Sequence, residues 1–202
     1  GCTVLDFMGF AQKFGPVLSY LRMASSEAGV NQARTEPGSA DALIGCDLVV
    51  SSSPKASITY RKGRTRAVIN TAIMPTGDLV RDRDADLHPE QRLRAIGAAV
   101  HTASLESLDA NALSEALLGD PVFANVMMLG AAWQAGLVPL GRDALRRAIE
   151  LNGVKPALNQ EAFTWGRLVV HDRAGVEKVA RLPVSTVHTL DETIDRRADF
   201  LT

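Results

Sequence analysis

The residues best suited to chemistry are Gln12 and Lys13, which lie between two apolar runs in the stretch 4–22. Gly15 and Pro16 punctuate the connection, as expected for a loop between paired strands. A lysine beside an amide, on a loop held by strands, can bind a phosphate or a carboxylate. The alternative is a tight connection whose lysine is simply solvated.

Catalytic and metal-binding patterns are missing from the rest of the sequence. No histidine lies three or four residues from a second histidine or cysteine, which indicates surface histidines rather than a metal site. These histidines are His88, His101, His171 and His188. No Gly-x-Ser-x-Gly elbow is present, and no Gly-Asp-Gly segment followed by a metal-binding Asn. The pattern therefore favours binding over catalysis.

Three further features are candidates for binding, each with a plainer alternative. Asn125 is expected in the first turn of a helix opened by Pro121, where its amide reaches either a ligand or a nearby backbone group. The basic run 61–66 either contacts a nucleotide phosphate or, as the sequence favours, is a solvated connection at a helix C-terminus. Trp133 and Trp165 are expected to serve core or interdomain packing.

Composition places the chain among ordinary globular proteins. It has 202 residues, 46% of them hydrophobic, and a net charge of -1, so no overall field attracts nucleic acid or an anionic membrane. Cys2 and Cys46 lie far apart and form no Cys-x-x-Cys pair, and Cys46 is expected to be a small core residue. We therefore expect a soluble, cytoplasmic domain without a membrane span or a secretory segment.

Strands alternate with helices in the first half of the chain, and helices dominate the second half. This order predicts an α/β fold, a three-layer α/β/α sandwich on a mainly parallel sheet with a helix-rich C-terminal half. The opening strand pair is expected to add an antiparallel strand to that sheet. Further strands are predicted at 41–45 (short and buried), 66–71 and 104–108, and helices from Pro89 and at 110–118, 121–135, 142–151 and 156–172. Three of these helices stop at a glycine suited to a left-handed cap: Gly119, Gly136 and Gly153.

Several sequence blocks resemble, in order, one known domain. The blocks are 5–24, 40–47, 64–71, 74–78, 117–130, 133–140 and 148–154. They are similar to the gamma domain of the 2-oxoacid:ferredoxin oxidoreductases, as it occurs in the fused indolepyruvate ferredoxin oxidoreductases. Gln12 and Lys13 match identical residue types in the loop of that family, and Gly15 matches its second small position. Two features depart from the family: its glycine-rich first loop does not appear, and Phe14 replaces a small residue.

The resemblance implies a full enzyme that oxidatively decarboxylates 2-oxoacids to acyl-coenzyme A. Such an enzyme uses thiamine diphosphate, Mg, iron–sulfur clusters and coenzyme A, and passes electrons to ferredoxin. The resemblance also implies that this domain alone binds none of these cofactors and is inactive. Its role is then to cover the active cleft and to contact coenzyme A through Gln12, Lys13 and Gly15. Asn125 is added to these contacts because of its expected place in the first turn of a helix, and no catalytic or metal-binding residue is assigned.

Two other hypotheses stay open beside this one. The first is a structural interface module without ligand contact, since no acid–base or metal group converges. The second is a free-standing nucleotide-binding domain, which the missing glycine loop disfavours. Under the family resemblance, residues 1–175 form the gamma-type domain, incomplete at its N-terminus, and residues 176–202 form a linker and the start of a helix. Expected partners are other domains or subunits of the same enzyme and, through an open sheet edge, a second copy in a homo-oligomer.

Overall fold

An antiparallel ribbon of two strands opens the fold. The computed structural model describes residues 1–8, 17–30, 32, 34–73, 88–100 and 102–181. Strand β1 (Cys2–Met8) pairs with β2 (Val17–Met23) from Cys2 opposite Met23 to Met8 opposite Val17. The prediction of two extended runs joined by a short connection is confirmed for the strands that the structure describes.

A separate parallel sheet forms the centre of the fold. Its strands are β3 (Ala42–Gly45), β4 (Arg66–Asn70) and β5 (Leu105–Leu108), in the order β3-β4-β5. The parallel pairing runs from β3 to β4 and from β4 to β5. This sheet confirms the predicted α/β class.

Two expectations about the sheets were wrong. The opening ribbon makes no strand ladder with the parallel sheet among the described residues. It is held by side chains instead, because Leu18 packs against a core cluster and Tyr20 is only 8% exposed. Strand β3 is not fully buried, since Ile44 is 37% exposed. Among the described strands β3 lies at the edge of its sheet, and a short apolar run does not distinguish edge from centre.

Helices account for most of the remaining described chain. The α-helices are α1 (Leu48–Ser51), α2 (Pro54–Ser57), α3 (Pro89–Val100), α4 (Ala110–Leu118), α5 (Ala124–Gln134), α6 (Arg142–Asn152), α7 (Pro156–His171) and α8 (Arg173–Ala180). Short 3₁₀ turns lie at Glu27–Val30, Thr102–Ser104 and Pro121–Phe123. Helices α4 to α8 confirm the helix-rich C-terminal half.

The central strand β4 shows how the layers are built. Successive side chains of a strand point to opposite faces, and in β4 both faces are apolar. Val68 packs in a first core cluster with residues of α4, α5, α7 and α8. Ala67 and Ile69 pack in a second cluster with residues of α1, α2 and α3. A layer of helices therefore covers each face of the sheet, as the continuous apolar run predicts.

Helix ends follow the cues in the sequence. The carboxylate of Asp47 accepts a hydrogen bond from the Val50 N–H at 2.9 Å and caps α1, as an N-terminal Asp is expected to do. Gly119, Gly136 and Gly153 have φ values of 78°, 74° and 72°. These three positions lie in the left-handed region that glycine adopts without steric cost, and the predicted helix stops are confirmed.

Helix α8 was not predicted from the sequence. Asp172 caps it by accepting from the Gly175 N–H at 3.0 Å. Val176 and Ala180 are buried in the first core cluster. The helix therefore runs across residue 175, where the family resemblance places the domain boundary, and packs with the rest of the fold.

The structure also bears on a membrane role. None of the described helices is long and apolar enough to cross a membrane.

Candidate functional site

The predicted cation loop is bounded by the ends of the opening ribbon. Met8 and Val17, the last residues of the ladder, are register partners. Gln12, Lys13 and Gly15 fall between them and lie outside the described residues. Their assignment to a ligand site therefore stays a prediction.

The carboxyl edge of the parallel sheet is the part of the described structure most suited to binding. All three strands leave the sheet at this edge, because they are parallel. In open α/β sheets, ligands bind in the crevice outside the carboxyl ends of the strands. The first residues after the strands at this edge are Cys46 after β3, Thr71 after β4 and Asp109 after β5.

Asn70, the last residue of β4, sits at the centre of this edge and is only 1% exposed. Its Nδ2 donates to the Cys46 carbonyl at 3.1 Å and to Asn111 Oδ1 at 2.8 Å. Its Oδ1 accepts from the Ala72 N–H at 3.1 Å and the Ala110 N–H at 3.0 Å. A buried amide with all four hydrogen bonds made is rigid, and losing one partner is costly.

The acidic and sulfur groups at this edge serve structure. Asp109 accepts from the Ala112 N–H at 2.8 Å and caps α4, as Asp47 caps α1. Burial, with a smaller effect from the Asp47 charge, raises the pKa of the Cys46 thiol. A thiol with a raised pKa is protonated at neutral pH and is a poor nucleophile. Its packing against the first core cluster agrees with the predicted role of Cys46.

Asn125 lies toward the same edge. Arg66, at the start of β4, donates through Nη2 to the Ala135 carbonyl at the far end of α5. Helix α5 packs on β3 and β4, and so it runs antiparallel to them. Its 11 residues span about 16 Å, close to the length of β4. The second residue of the helix, Asn125, therefore lies near the carboxyl ends of the strands.

The Asn125 side chain is exposed. Asp120 Oδ1 accepts from the Val122 N–H at 2.9 Å and caps the preceding 3₁₀ turn, whereas α5 itself has no side-chain cap. The Asn125 amide makes no hydrogen bond within the described chain. The amide is thus available to a ligand or a partner.

The basic run 61–66 lies at the opposite, amino end of the sheet. Arg64 pairs with Asp41 at 2.9 Å, and both side chains are well exposed. Arg66 is bound to the C-terminal end of α5, where a cation is favoured by the helix dipole. The buried Thr65 holds the turn by donating to the Ala40 carbonyl at 2.7 Å. This geometry supports the solvated-connection interpretation.

The tryptophans pack within the fold. Trp133 donates from Nε1 to the Leu140 carbonyl at 2.8 Å, and its ring centroid is 6.1 Å from that of Phe163. The Arg167 guanidinium lies 4.9 Å from the Trp133 centroid. Trp165 packs against the first core cluster. Both residues therefore serve packing, as predicted.

Two further observations limit the chemistry of the described residues. They contain no group of three His, Cys, Asp or Glu side chains able to hold a metal ion. A cleft of about 570 Å³, which the sequence did not indicate, lies beside the ribbon and is lined in part by Tyr20, Arg34, Pro37 and Ile58. Its walls are mainly apolar, and residues 58 and 59 place it near the amino end of the sheet, away from Asn70.

Comparison with known families gives one match. The family model described as pyruvate ferredoxin/flavodoxin oxidoreductase matches residues 1–168, which is most of the chain. No curated protein matches the chain significantly.

Proposed function

Because this chain belongs to the pyruvate ferredoxin/flavodoxin oxidoreductase family, we propose that it is the gamma-type domain of an indolepyruvate-like 2-oxoacid:ferredoxin oxidoreductase. The family match over residues 1–168 is the observation that carries the proposal. The order of the resembling blocks and the two-sided α/β sheet support it. The wider enzyme would convert a 2-oxoacid and coenzyme A to acyl-coenzyme A and CO₂, with two electrons passed to ferredoxin.

The described residues do not fit the metal-bound cofactors of such an enzyme. They offer no cluster of metal ligands. Cys46 is half-buried, and its thiol, with a raised pKa, is a poor metal ligand. We assign thiamine diphosphate, Mg and the iron–sulfur clusters to other domains of the enzyme, and we expect this chain alone to be inactive.

The role proposed for this domain is to cover the active cleft and to contact coenzyme A. The phosphates of coenzyme A need a cation and N–H donors, and the proposed contacts are Gln12, Lys13, Gly15 and Asn125. The exposed, uncommitted amide of Asn125 supports this choice. Its position toward the carboxyl edge of the sheet, where α/β proteins bind ligands, supports it further.

Replacement of Lys13 tests the coenzyme A contact. In the full enzyme, Lys13→Ala should raise the KM for coenzyme A by roughly tenfold or more, since hydrogen bonds to charged groups contribute about 1.5–3 kcal/mol. The KM for the 2-oxoacid should stay close to that of the wild type. Lys62→Ala is the matched control, because Lys62 is exposed on the turn at the amino end of the sheet. An unchanged coenzyme A dependence in Lys13→Ala would remove this residue from the site.

Substrate preference is a separate part of the proposal. Ferredoxin reduction by the full enzyme should have a higher kcat/KM with indolepyruvate than with pyruvate or 2-oxoglutarate. A preference for either of the other oxoacids would reject the indolepyruvate assignment and leave the coenzyme A contact standing.

A second candidate function is an interface module that contacts no ligand. One face of the opening ribbon favours it, because Val4, Val17 and Leu21 are 58%, 52% and 57% exposed and Val4 lies opposite Leu21. On this account the face packs against a neighbouring domain of the same enzyme. Changing Val4 and Leu21 together to Ser should then disrupt assembly, whereas Lys13→Ala should leave the kinetics normal.

A further inference from the structure

The exits of the three parallel strands are tied together by one side chain. The Asn70 amide binds the Cys46 carbonyl after β3, the Ala72 N–H after β4 and the Ala110 N–H after β5. Its fourth hydrogen bond goes to Asn111 Oδ1 in the first turn of α4. A single buried amide thus bridges all three exits.

Among the described residues, each of the other contacts at this edge acts on one element or joins two neighbouring ones. Asp47 and Asp109 each cap only the helix that follows them. The Thr71 N–H donates to the Leu108 carbonyl at 2.9 Å and joins β4 to β5 alone. The strand ladder fixes the three strands as far as Gly45 and Leu108, and Asn70 joins the backbone that follows them.

Asn70 is more than an ordinary core residue. A strand covered on both faces needs only apolar side chains, and Val68 and Ile69 meet that need in the same strand. Burying an amide there is costly unless every polar atom is paired. The four hydrogen bonds of the Asn70 amide offset this cost. The residue lies at the carboxyl ends of the strands, where α/β sheets bind ligands.

We propose that Asn70 is a positioning residue for coenzyme A at the carboxyl edge of the parallel sheet, acting through the backbone of Ala72 and the start of α4. This inference rests on the proposed function. Asn70 itself is buried and fully hydrogen-bonded, and so it does not touch the ligand. It helps to set where the strand exits lie, and losing that order removes binding energy shared by the ground state and the transition state, which raises the KM for coenzyme A with little change in kcat.

Two variants of the full enzyme test the inference. Asn70→Asp is nearly isosteric, but its carboxylate can donate neither to the Cys46 carbonyl, which then faces a second acceptor, nor to Asn111 Oδ1. We expect the KM for coenzyme A to rise roughly tenfold, with kcat changed by less than about twofold. Asn111→Ala removes one acceptor at a partly exposed helix position and should raise the same KM by about threefold. It decides the question if Asn70→Asp does not fold.

The control is Ile69→Val, a change at the neighbouring residue that faces the second core cluster. It costs stability without touching the Asn70 hydrogen bonds, and its KM for coenzyme A should equal that of the wild type. If Asn111→Ala and Ile69→Val both leave this KM unchanged, or both raise it equally, the positioning role is overturned. A wild-type enzyme that oxidises no 2-oxoacid in a coenzyme A-dependent way would instead refute the proposed function, and the inference with it.

Discussion

The crossing of α5 and α7 offers a sharp test of the packing. A Cβ built on Gly166 would lie 1.9 Å from the Met127 carbonyl oxygen and 2.9 Å from the Ala131 nitrogen. Across the same contact, a Cβ on Gly130 would lie 2.1 Å from the Phe163 carbonyl oxygen. The obstacles are backbone atoms, which cannot rotate away as a side chain can. The two helices are close because both positions are glycine.

The cost of Gly166→Ala follows from these distances. Ordinary van der Waals contact begins at 3.4 Å. A Cβ that lies 1.9 Å from a carbonyl oxygen therefore overlaps it by 1.5 Å, and the helices must separate to relieve this overlap. A gap of even 0.5–1 Å forfeits about a quarter to a half of the dispersion energy of the atoms that face it. Overpacking a core costs about 1–3 kcal/mol and occasionally more. We expect a loss of about 3 kcal/mol, which outweighs the gain of about 1 kcal/mol that alanine brings to a helix interior.

Urea unfolding of the chain measures this loss directly. Gly141→Ala is the matched control, because no atom lies within 4 Å of the added Cβ and the φ of Gly141 is -66°. Gly141 is the N-cap of α6, a position where glycine is preferred to alanine, so the control should lose about 1 kcal/mol at most, well short of the loss in Gly166→Ala. A Gly166→Ala chain as stable as the wild type, or more stable, would refute the close helix crossing.

Three further predictions concern single groups. Burial raises the pKa of Tyr60 above its ordinary value of 10.0. Above pH 10 the unfolded state therefore releases a proton that the folded state keeps, and the free energy of unfolding should fall by up to about 1.4 kcal/mol per pH unit. Urea unfolding across pH 9–11 measures this fall, and below pH 10 the contribution of Tyr60 to stability is complete. Tyr60→Phe should remove this pH dependence of the free energy of unfolding. It also loses the hydrogen bond to the Ser51 carbonyl at 2.8 Å, which should cost about 1 kcal/mol of stability at neutral pH. A pH dependence equal to that of the wild type would contradict the burial of the hydroxyl. Cys46, whose thiol pKa is raised by burial, should react with a maleimide at pH 8 much more slowly than the exposed Cys2, and equal rates by mass spectrometry would count against its packing.

Local signals in the sequence predicted much of the helical part of the fold. Helix α4 begins after Asp109 and ends at Gly119, as its cap residues indicate. Gly136 and Gly153 stop the next two helical segments for the same reason. These cues act within a few residues of the chain, and distant contacts do not override them in this fold.

The arrangement of the strands was harder to predict. Whether β2 joins the central sheet is decided by packing of Leu18 and Tyr20, which has no local signature. Helix α8 was missed because its start, Asp172, directly follows α7 and leaves no loop between them. Long-range contacts of this kind are outside the reach of periodicity.

The candidate site shows the same difference between local signals, which the sequence contains, and long-range contacts, which it does not show. Asn125 was predicted as a candidate because Pro121 indicates the start of a helix. Its position relative to the strand ends could be derived only from the contact of Arg66 with the end of α5. Asn70 was missed, since an Asn at the end of an apolar strand looks like an ordinary strand end. The one available signal was a polar residue that closes a run otherwise buried on both faces. Its partners at positions 46 and 111 come together only in the fold.

The most direct test of the central claim is ferredoxin reduction by the full oxidoreductase that contains this chain. With indolepyruvate as substrate, we predict reduction that depends on coenzyme A, with one acyl-coenzyme A formed for every two electrons transferred. Reduction that proceeds equally well without coenzyme A, or no oxidation of any 2-oxoacid, would contradict the account.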